Sequence, residues 1–445
     1  MRVGLVGVMV CLVAGVLPVK TAAQPTGSVI FIHPDGAGAA SWAAARALRV
    51  GPDGDLNWDR IPHLALYRGH MIDSLTATSN GGATTHATGL KVRSRAFGRF
   101  NSGQDADRLL DDEGRYLSVA TQAIEAGLPV GVVQSGTAVE PGTAVFLTDA
   151  VSRQAYDDIA LGLIESGAQV ILGGGEGRYL PVGVAGVHGP GQRKDGRDLV
   201  AYAKERGYTV VTTRDELLAL PDDAGKVLGL FAHVSTFNDL SEEQLKVLGL
   251  PNYDPEAPTV AEMTDYAIRN LAAAGEHFLL VVEEEGPDNF GNKNNAAVMI
   301  EAMLRTDDAF GIAQAYLAEH PDTLLVTTAD SDGGGMRMVG LPIDPDQPID
   351  DQIEGKRVHP RDRNGAPRDG ARGPGTEYFL AAPDRQGVRL PFSVTWATHD
   401  DCSGGVLVRA DGLNAHRVRG SFDNTEIADL IRLTLFGQTA GPDAE

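Results

Sequence analysis

Five polar clusters in this 445-residue chain each follow or cap an apolar or small-residue run. "VIFIHPDGAG" ends on Asp35, and "TATSNGGATTHATGLKV" sets Ser79 among glycines and hydroxyls. "VVEEEGPDNFGN" delivers Glu283, Glu284, Glu285, Asp288 and Asn292, "TTADSDGGG" delivers Asp330, Ser331 and Asp332, and "ATHDDCSGG" offers His399 beside Asp400, Asp401 and Cys402. Carboxylates carried to the end of a buried strand suit ligation of hard cations. A serine in the first turn of a helix lies in the field of unpaired N–H groups, which attracts anions and favours an alkoxide. A metal nearby would activate it further as a nucleophile. Singly, each cluster has a plain explanation: an Asp-Gly turn, a capping serine, a solvated acidic run, a structural histidine. Five in one chain are much harder to explain as turns.

The clusters need a scaffold, and the apolar runs supply one. "SVIFIHPDG", "VGVVQSG", "AQVILGGG", "GYTVVTT", "KVLGLFA", "HFLLVVEEEG" and "DTLLVTTADSDGGG" read as strands. Helical stretches such as "DDIALGLIESG" and "NAAVMIEAMLRTDDAFGIAQAYLAEH" lie between several of them. Alternation of this kind predicts an α/β sheet with helices on both faces. Functional groups in such sheets gather just past the carboxyl ends of the strands. The helix that carries Ser79 is predicted to begin there and to stop near Gly89, with Ser79 as its cap. From Gly340 to Gly387 the chain is rich in Pro, Gly, Asp and Arg without apolar periodicity, which predicts a surface insertion. Residues 439–445 read as a tail, leaving 24–438 as one catalytic domain.

Composition limits the partners. The formal net charge is −22, a field that repels nucleic acid and anionic membranes. An anionic substrate would need local positive charge from a metal or an arginine. Arg2, the apolar run "VGLVGVMVCLVAGVLPV" and "TAA" before Gln24 form an export-signal pattern over residues 1–23, implying a periplasmic or secreted protein. Cleavage there would remove Arg2, Lys20 and Cys11, leaving Cys402 as the single cysteine and no intrachain disulfide.

In this order and context the clusters resemble the alkaline phosphatase family, over about Val29 to Phe436. "VILGGGEGRYLP" and "GTAVFLTDAVSRQAYDDIA" are similar to further family segments. The resemblance implies a large mixed, mostly parallel central sheet, phosphate monoester hydrolysis, and zinc and magnesium as cofactors; a homodimer is among the arrangements it allows. It implies Ser79 as the phosphorylated nucleophile and Arg153 as the phosphate clamp. It makes Asp35 a bridging ligand, Thr143 and Glu283 the remaining magnesium ligands, Asp288 and His399 ligands of one zinc, and Asp330 a ligand of the other.

Three positions depart from the family pattern. Thr78 stands where an aspartate is common, Asn292 where a histidine of the first zinc site is expected, and Ser331 where a histidine of the second is expected. Oxygen donors in place of imidazole favour magnesium, calcium or manganese over zinc. Asp332, Asp400 and His33 are the nearby residues able to compensate. The alternatives are a phosphodiesterase on the same scaffold, a sulfatase, whose modification motif is missing, and a phosphate- or metal-binding protein without turnover. Thr78 is the local rival of Ser79 as nucleophile.

Overall fold

Seven of the apolar runs become parallel strands of one ten-stranded sheet. A computed structural model describes residues 24–438; the expected leader (1–23) and tail (439–445) lie outside the described residues. In chain order the strands are β1 (Val29–Pro34), β2 (His63–Arg68), β3 (Val130–Thr137), β4 (Val170–Gly174), β5 (Thr209–Val211), β6 (Val227–Leu230), β7 (Leu279–Glu284), β8 (Leu324–Thr327), β9 (Leu407–Gly412) and β10 (Gly420–Asp423). Their order across the sheet is β10-β2-β9-β8-β1-β7-β3-β4-β6-β5. Only β9 runs antiparallel to its neighbours, β2 and β8, so the sheet is mixed and mostly parallel, as expected.

The central strands β1, β3, β4, β6, β7 and β8 are buried along their whole length. Successive residues of a strand point to opposite faces, so both faces are covered. On one face Phe31 of β1 meets His86 of the Ser79–Thr88 helix and Phe146, just past the Pro141–Ala144 helix. On the other lie the Ala39–Val50, Val260–Ala274 and Ala296–Glu319 helices. The Val260–Ala274 helix opens with a capping box, in which the Thr259 hydroxyl accepts from Glu262 N and the Glu262 carboxylate accepts from Thr259 N.

The Gly340–Gly387 stretch is more ordered than its composition predicts. Short strands at Arg368–Gly370, Gly373–Pro374 and Phe379–Leu380 join Arg337–Gly340 and Pro391–Thr395 in a five-stranded sheet. Phe379 stacks on Phe392 with ring centroids 5.0 Å apart, and the Trp396 indole donates to Asp369 Oδ2 at 2.7 Å. Farther in, Asp332–Gly333 pairs antiparallel with Asp401–Cys402. Among the described residues no helix is long and apolar enough to cross a membrane.

Candidate metal centre and active site

Register places the first group of side chains. His33 of β1 and Gln134 of β3 both align with Glu283 of β7, which lies between them, so the three stand in a row on one face. Gln134 Nε2 donates to Glu283 Oε2. His33 Nδ1 lies 3.5 Å from Glu283 Oε1, and its Nε2 lies 3.8 Å from Asp330 Oδ1. Glu284 points to the opposite face, where its Oε1 accepts from Ser135 Oγ at 2.9 Å and Tyr253 OH at 3.1 Å. Burial pushes its pKa up to about 7. Glu285, past the strand end, returns to the centre. One ligand atom each from Asp35, Glu283 and Glu285 lie within 4.8 Å of one another, and the same holds for His33, Asp35 and Asp330.

Ser79 is buried at the first position of its helix, but it is not the cap. Thr78 holds that role: its hydroxyl accepts from Gly81 N at 3.4 Å and donates to the Ser94 carbonyl. The cap stands one residue earlier than expected, which leaves the Ser79 hydroxyl uncommitted to the backbone. It stands beside the Asp35 carboxylate and lowers that group's affinity for a proton. Gly82 lets this first turn lie against Asp330, since a Cβ there would fall 2.7 Å from Asp330 Cβ. Gly142 does the same for the Pro141–Ala144 helix, where a Cβ would fall 1.8 Å from Glu283 Oε1. Thr143, on that helix, is buried with its Oγ1 unpartnered.

The Asp288 region departs most from expectation. Asn292 donates through Nδ2 to Asp288 Oδ1 and to Asp401 Oδ1, each at 2.9 Å, while its Oδ1 accepts from Gly334 N at 2.9 Å. Because Gly334 N–H can only donate, this contact fixes which end of the amide is oxygen. Asn292 therefore turns its NH2 group, not its oxygen, toward the carboxylates; it positions acids and does not ligate. His399 is also misplaced by the sequence reading. It is exposed, with Nδ1 3.1 Å from the Asn292 carbonyl and Nε2 beside the side-chain amide of Asn294. The side chain that reaches the centre from this segment is Asp401, which sequence reasoning missed. Its pairing with Gly333 turns it inward, and two-residue strands of this kind have no readable periodicity.

Of the three compensating residues, only His33 lies in the centre. Asp332 is tied to Arg337 at 2.9 Å, and Asp400 is exposed. Ser331 is buried with its hydroxyl near Asp401. Arg153 lies at the edge, bonded to Glu140 at 2.8 Å, and its charge also senses Glu285, Asp35 and Asp288. A cleft of about 390 Å³ opens beside Asp330, lined by Leu66, Leu75, Ala77, Cys402 and Val406.

The electrostatics call for cations. Burial, then the Asp330 charge, raises Asp35 well above the usual carboxylate range; burial, then Asp35 and Asp401, does the same to Asp288. Burial, then Glu140 and Glu283, raises Glu285. Burial opposes the charged His33 ring, but Asp330 and Glu283 outweigh it and lift its pKa. Both oxygens of Asp35 and Asp330, Glu283 Oε1, Glu285 Oε2, Ser331 Oγ and both His33 nitrogens are buried without a hydrogen-bond partner. Buried acids left unpaired are costly unless a positive charge joins them. Oxygen donors so arranged fit hard divalent cations such as magnesium and calcium, which bind six or more such atoms.

Fold and site define a class: an α/β protein whose buried carboxylates are arranged so that they could hold divalent cations beside a helix-borne serine. The model of the family "Alkaline phosphatase" matches residues 27–436. The chain is 30% identical over 361 residues to the repressible alkaline phosphatase of Saccharomyces cerevisiae, covering 74% of this chain and 60% of the yeast protein. It is 28% identical over 368 residues to the tissue-nonspecific alkaline phosphatase isozyme of Gallus gallus, covering 74% and 69%. The solved alkaline phosphatase of Thermus thermophilus shares the fold with a TM-score of 0.68 at 22% identity, over 93% of both chains. That of the Antarctic bacterium TAB5 shares it with a TM-score of 0.68 at 20% identity, over 94% of this chain and 100% of the other. The chain belongs to the alkaline phosphatase family.

Proposed function

We propose that this protein hydrolyses phosphate monoesters through a phosphoserine on Ser79. The observation that carries the reading is the Ser79 hydroxyl, free of the backbone at a helix N-terminus, beside the unpartnered Asp35 carboxylate. Asp35, Glu283, Glu285, Asp288, Asp330 and Asp401 would hold the cations, zinc and magnesium by family likeness. Divalent cations there supply charge that acidifies the serine hydroxyl and neutralises the phosphoryl group.

The chain's own residues perform the rest. Helix N–H groups and the planar guanidinium of Arg153 orient the phosphoryl oxygens. Ser79 Oγ bonds to phosphorus as its proton passes to water. The bond from phosphorus to the ester oxygen breaks, and that oxygen takes a proton and leaves as an alcohol. Water then adds to phosphorus, the Oγ–phosphorus bond breaks, and inorganic phosphate leaves with the hydroxyl restored. The Leu66–Leu75 cleft beside Asp330 is placed to receive an apolar leaving group.

The leader pattern supports export, and the family likeness makes a homodimer the arrangement to look for. The direct test is hydrolysis of a chromogenic phosphate monoester by metal-stripped protein resupplied with zinc, magnesium, calcium or manganese, singly and in pairs. Restored turnover, with label from the ester's phosphate trapped on Ser79, supports the reading. A folded protein inactive with every ion overturns it, and diester substrates would then be tried.

A further inference from the structure

Resting on the reading that the centre holds divalent cations, we propose that its metal pockets are of unlike chemistry: His33 gives a nitrogen to one, with Asp35 and Asp330, whereas the oxygen donors of Asp35, Glu283 and Glu285 form another, and the Asp288–Asp401 side has no nitrogen with which to hold a second zinc. The first takes a borderline ion such as zinc, and the second a hard ion such as magnesium or manganese.

Geometry carries the assignment. His33 is fully buried on β1, both of its ring nitrogens lack a hydrogen-bond partner, and its Nε2 lies 3.8 Å from Asp330 Oδ1. One ligand atom each from His33, Asp35 and Asp330 fit within 4.8 Å, the span of donors around a single ion. Both carboxylate oxygens of Asp35 and of Asp330 are likewise unpartnered. An imidazole expected directly after Asp330 is a serine here, and the nitrogen enters from the neighbouring strand instead. On the Asp288–Asp401 side no such exchange has occurred. Asn292 presents its NH2 group to Asp288 and Asp401 with its oxygen held by Gly334 N, and His399 lies outside, bonded to the Asn292 carbonyl. That leaves carboxylates, which select hard ions over zinc.

The test uses the full chain and the variants His33→Gln, Asp401→Asn and His399→Ala, stripped of metal and dialysed against zinc, then manganese. Readouts are metal content, zinc-edge X-ray absorption and the manganese electron paramagnetic resonance signal. We expect one zinc per wild-type chain with imidazole in its shell. His33→Gln should lose the imidazole signature and bind zinc at least about 10–100-fold more weakly, the loss already typical of an outer-shell partner. It should keep the manganese signal, Asp401→Asn should keep the zinc with its imidazole signature, and His399→Ala should match wild type. Two equivalent zinc ions, an imidazole signature that disappears in His399→Ala, or zinc binding indifferent to His33→Gln would overturn the proposal alone. The wild-type and His399→Ala results decide it even where His33→Gln does not fold. Failure of the wild type to bind any divalent ion would instead sink the underlying reading.

Discussion

The amide nitrogen of Asn292 lies 2.9 Å from both Asp288 Oδ1 and Asp401 Oδ1, so a single side chain holds a buried and a half-buried acid together. Replacing it tests whether it positions or ligates. In Asn292→Ala the acids lose their shared donor, and metal affinity should fall about 10–100-fold. The stability cost should be only about 1 kcal/mol, because Gly334 N also reaches the Asp400 carbonyl at 3.2 Å. Calorimetric metal titration and denaturant melts measure the two effects separately.

Thr78 caps the helix, and Ser79 is the proposed nucleophile. Ser79→Ala should abolish turnover while the protein stays folded. Thr78→Ala should keep turnover on a phosphate monoester and lose about 1 kcal/mol of stability, the usual worth of a capping hydroxyl. Loss of turnover in Thr78→Ala with an intact, metal-loaded fold would reverse the assignment.

Gly142 admits Glu283 to the centre. A methyl group at residue 142 would fall 1.8 Å from Glu283 Oε1, so Gly142→Ala must push the carboxylate or the helix away. We expect loss of bound metal, read by elemental analysis. Metal content equal to wild type would show that Glu283 is not needed to hold an ion.

Metal should also stabilise the fold, because the centre gathers unpartnered acids. Saturation at 100-fold over Kd would add about 2.7 kcal/mol. Thermal melts with and without chelator measure it, and a Tm indifferent to divalent ions would contradict the reading of the centre.

Acid should weaken the start of the Val260–Ala274 helix. Arg214, bonded to Glu262, and then the Thr259 N–H hold the Glu262 pKa below its ordinary value despite partial burial. A depressed carboxylate contributes stability above its unfolded pKa and loses it as pH falls through the folded one. Protection factors of the first-turn amides, which discount the intrinsic slowing of exchange in acid, should therefore drop as pH falls below about 4, the unfolded range. Glu262→Gln should remove that pH dependence.

Six of the seven strands legible in the sequence are apolar runs buried on both faces, from Val29–Pro34 to Leu324–Thr327; the seventh, Thr209–Val211, is a short edge strand with only Val211 buried. β2, β9 and β10 escaped, being at or near one edge with half-exposed patterns such as that of His63–Arg68. The positions of Asp35, Ser79, Glu283, Asp288 and Asp330 were readable because each lies at or shortly past the end of a strand or opens a helix. Asp401 was not. Three adjacent residues, His399, Asp400 and Asp401, competed for one place, and a two-residue pairing with Asp332–Gly333 decides among them. The Gly340–Gly387 segment misled for a similar reason, since strands of two or three residues carry no periodicity. The amide of Asn292 marks a further limit: its type allows ligation, and only the Gly334 contact forbids it.

Glu283 and Glu284 are chemically alike, adjacent, and committed to opposite sides of the sheet. Strand β7 thus works as a sorter, sending one acid to the centre and its neighbour to Tyr253 and Ser135. A shift of one residue would leave composition, charge and hydrophobicity unchanged and still deliver the wrong acid. Six aligned pairs with β1 and five with β3 hold the strand against that slip. The vulnerable mutations in this stretch are therefore insertions and deletions, whose damage no count of side chains would reveal.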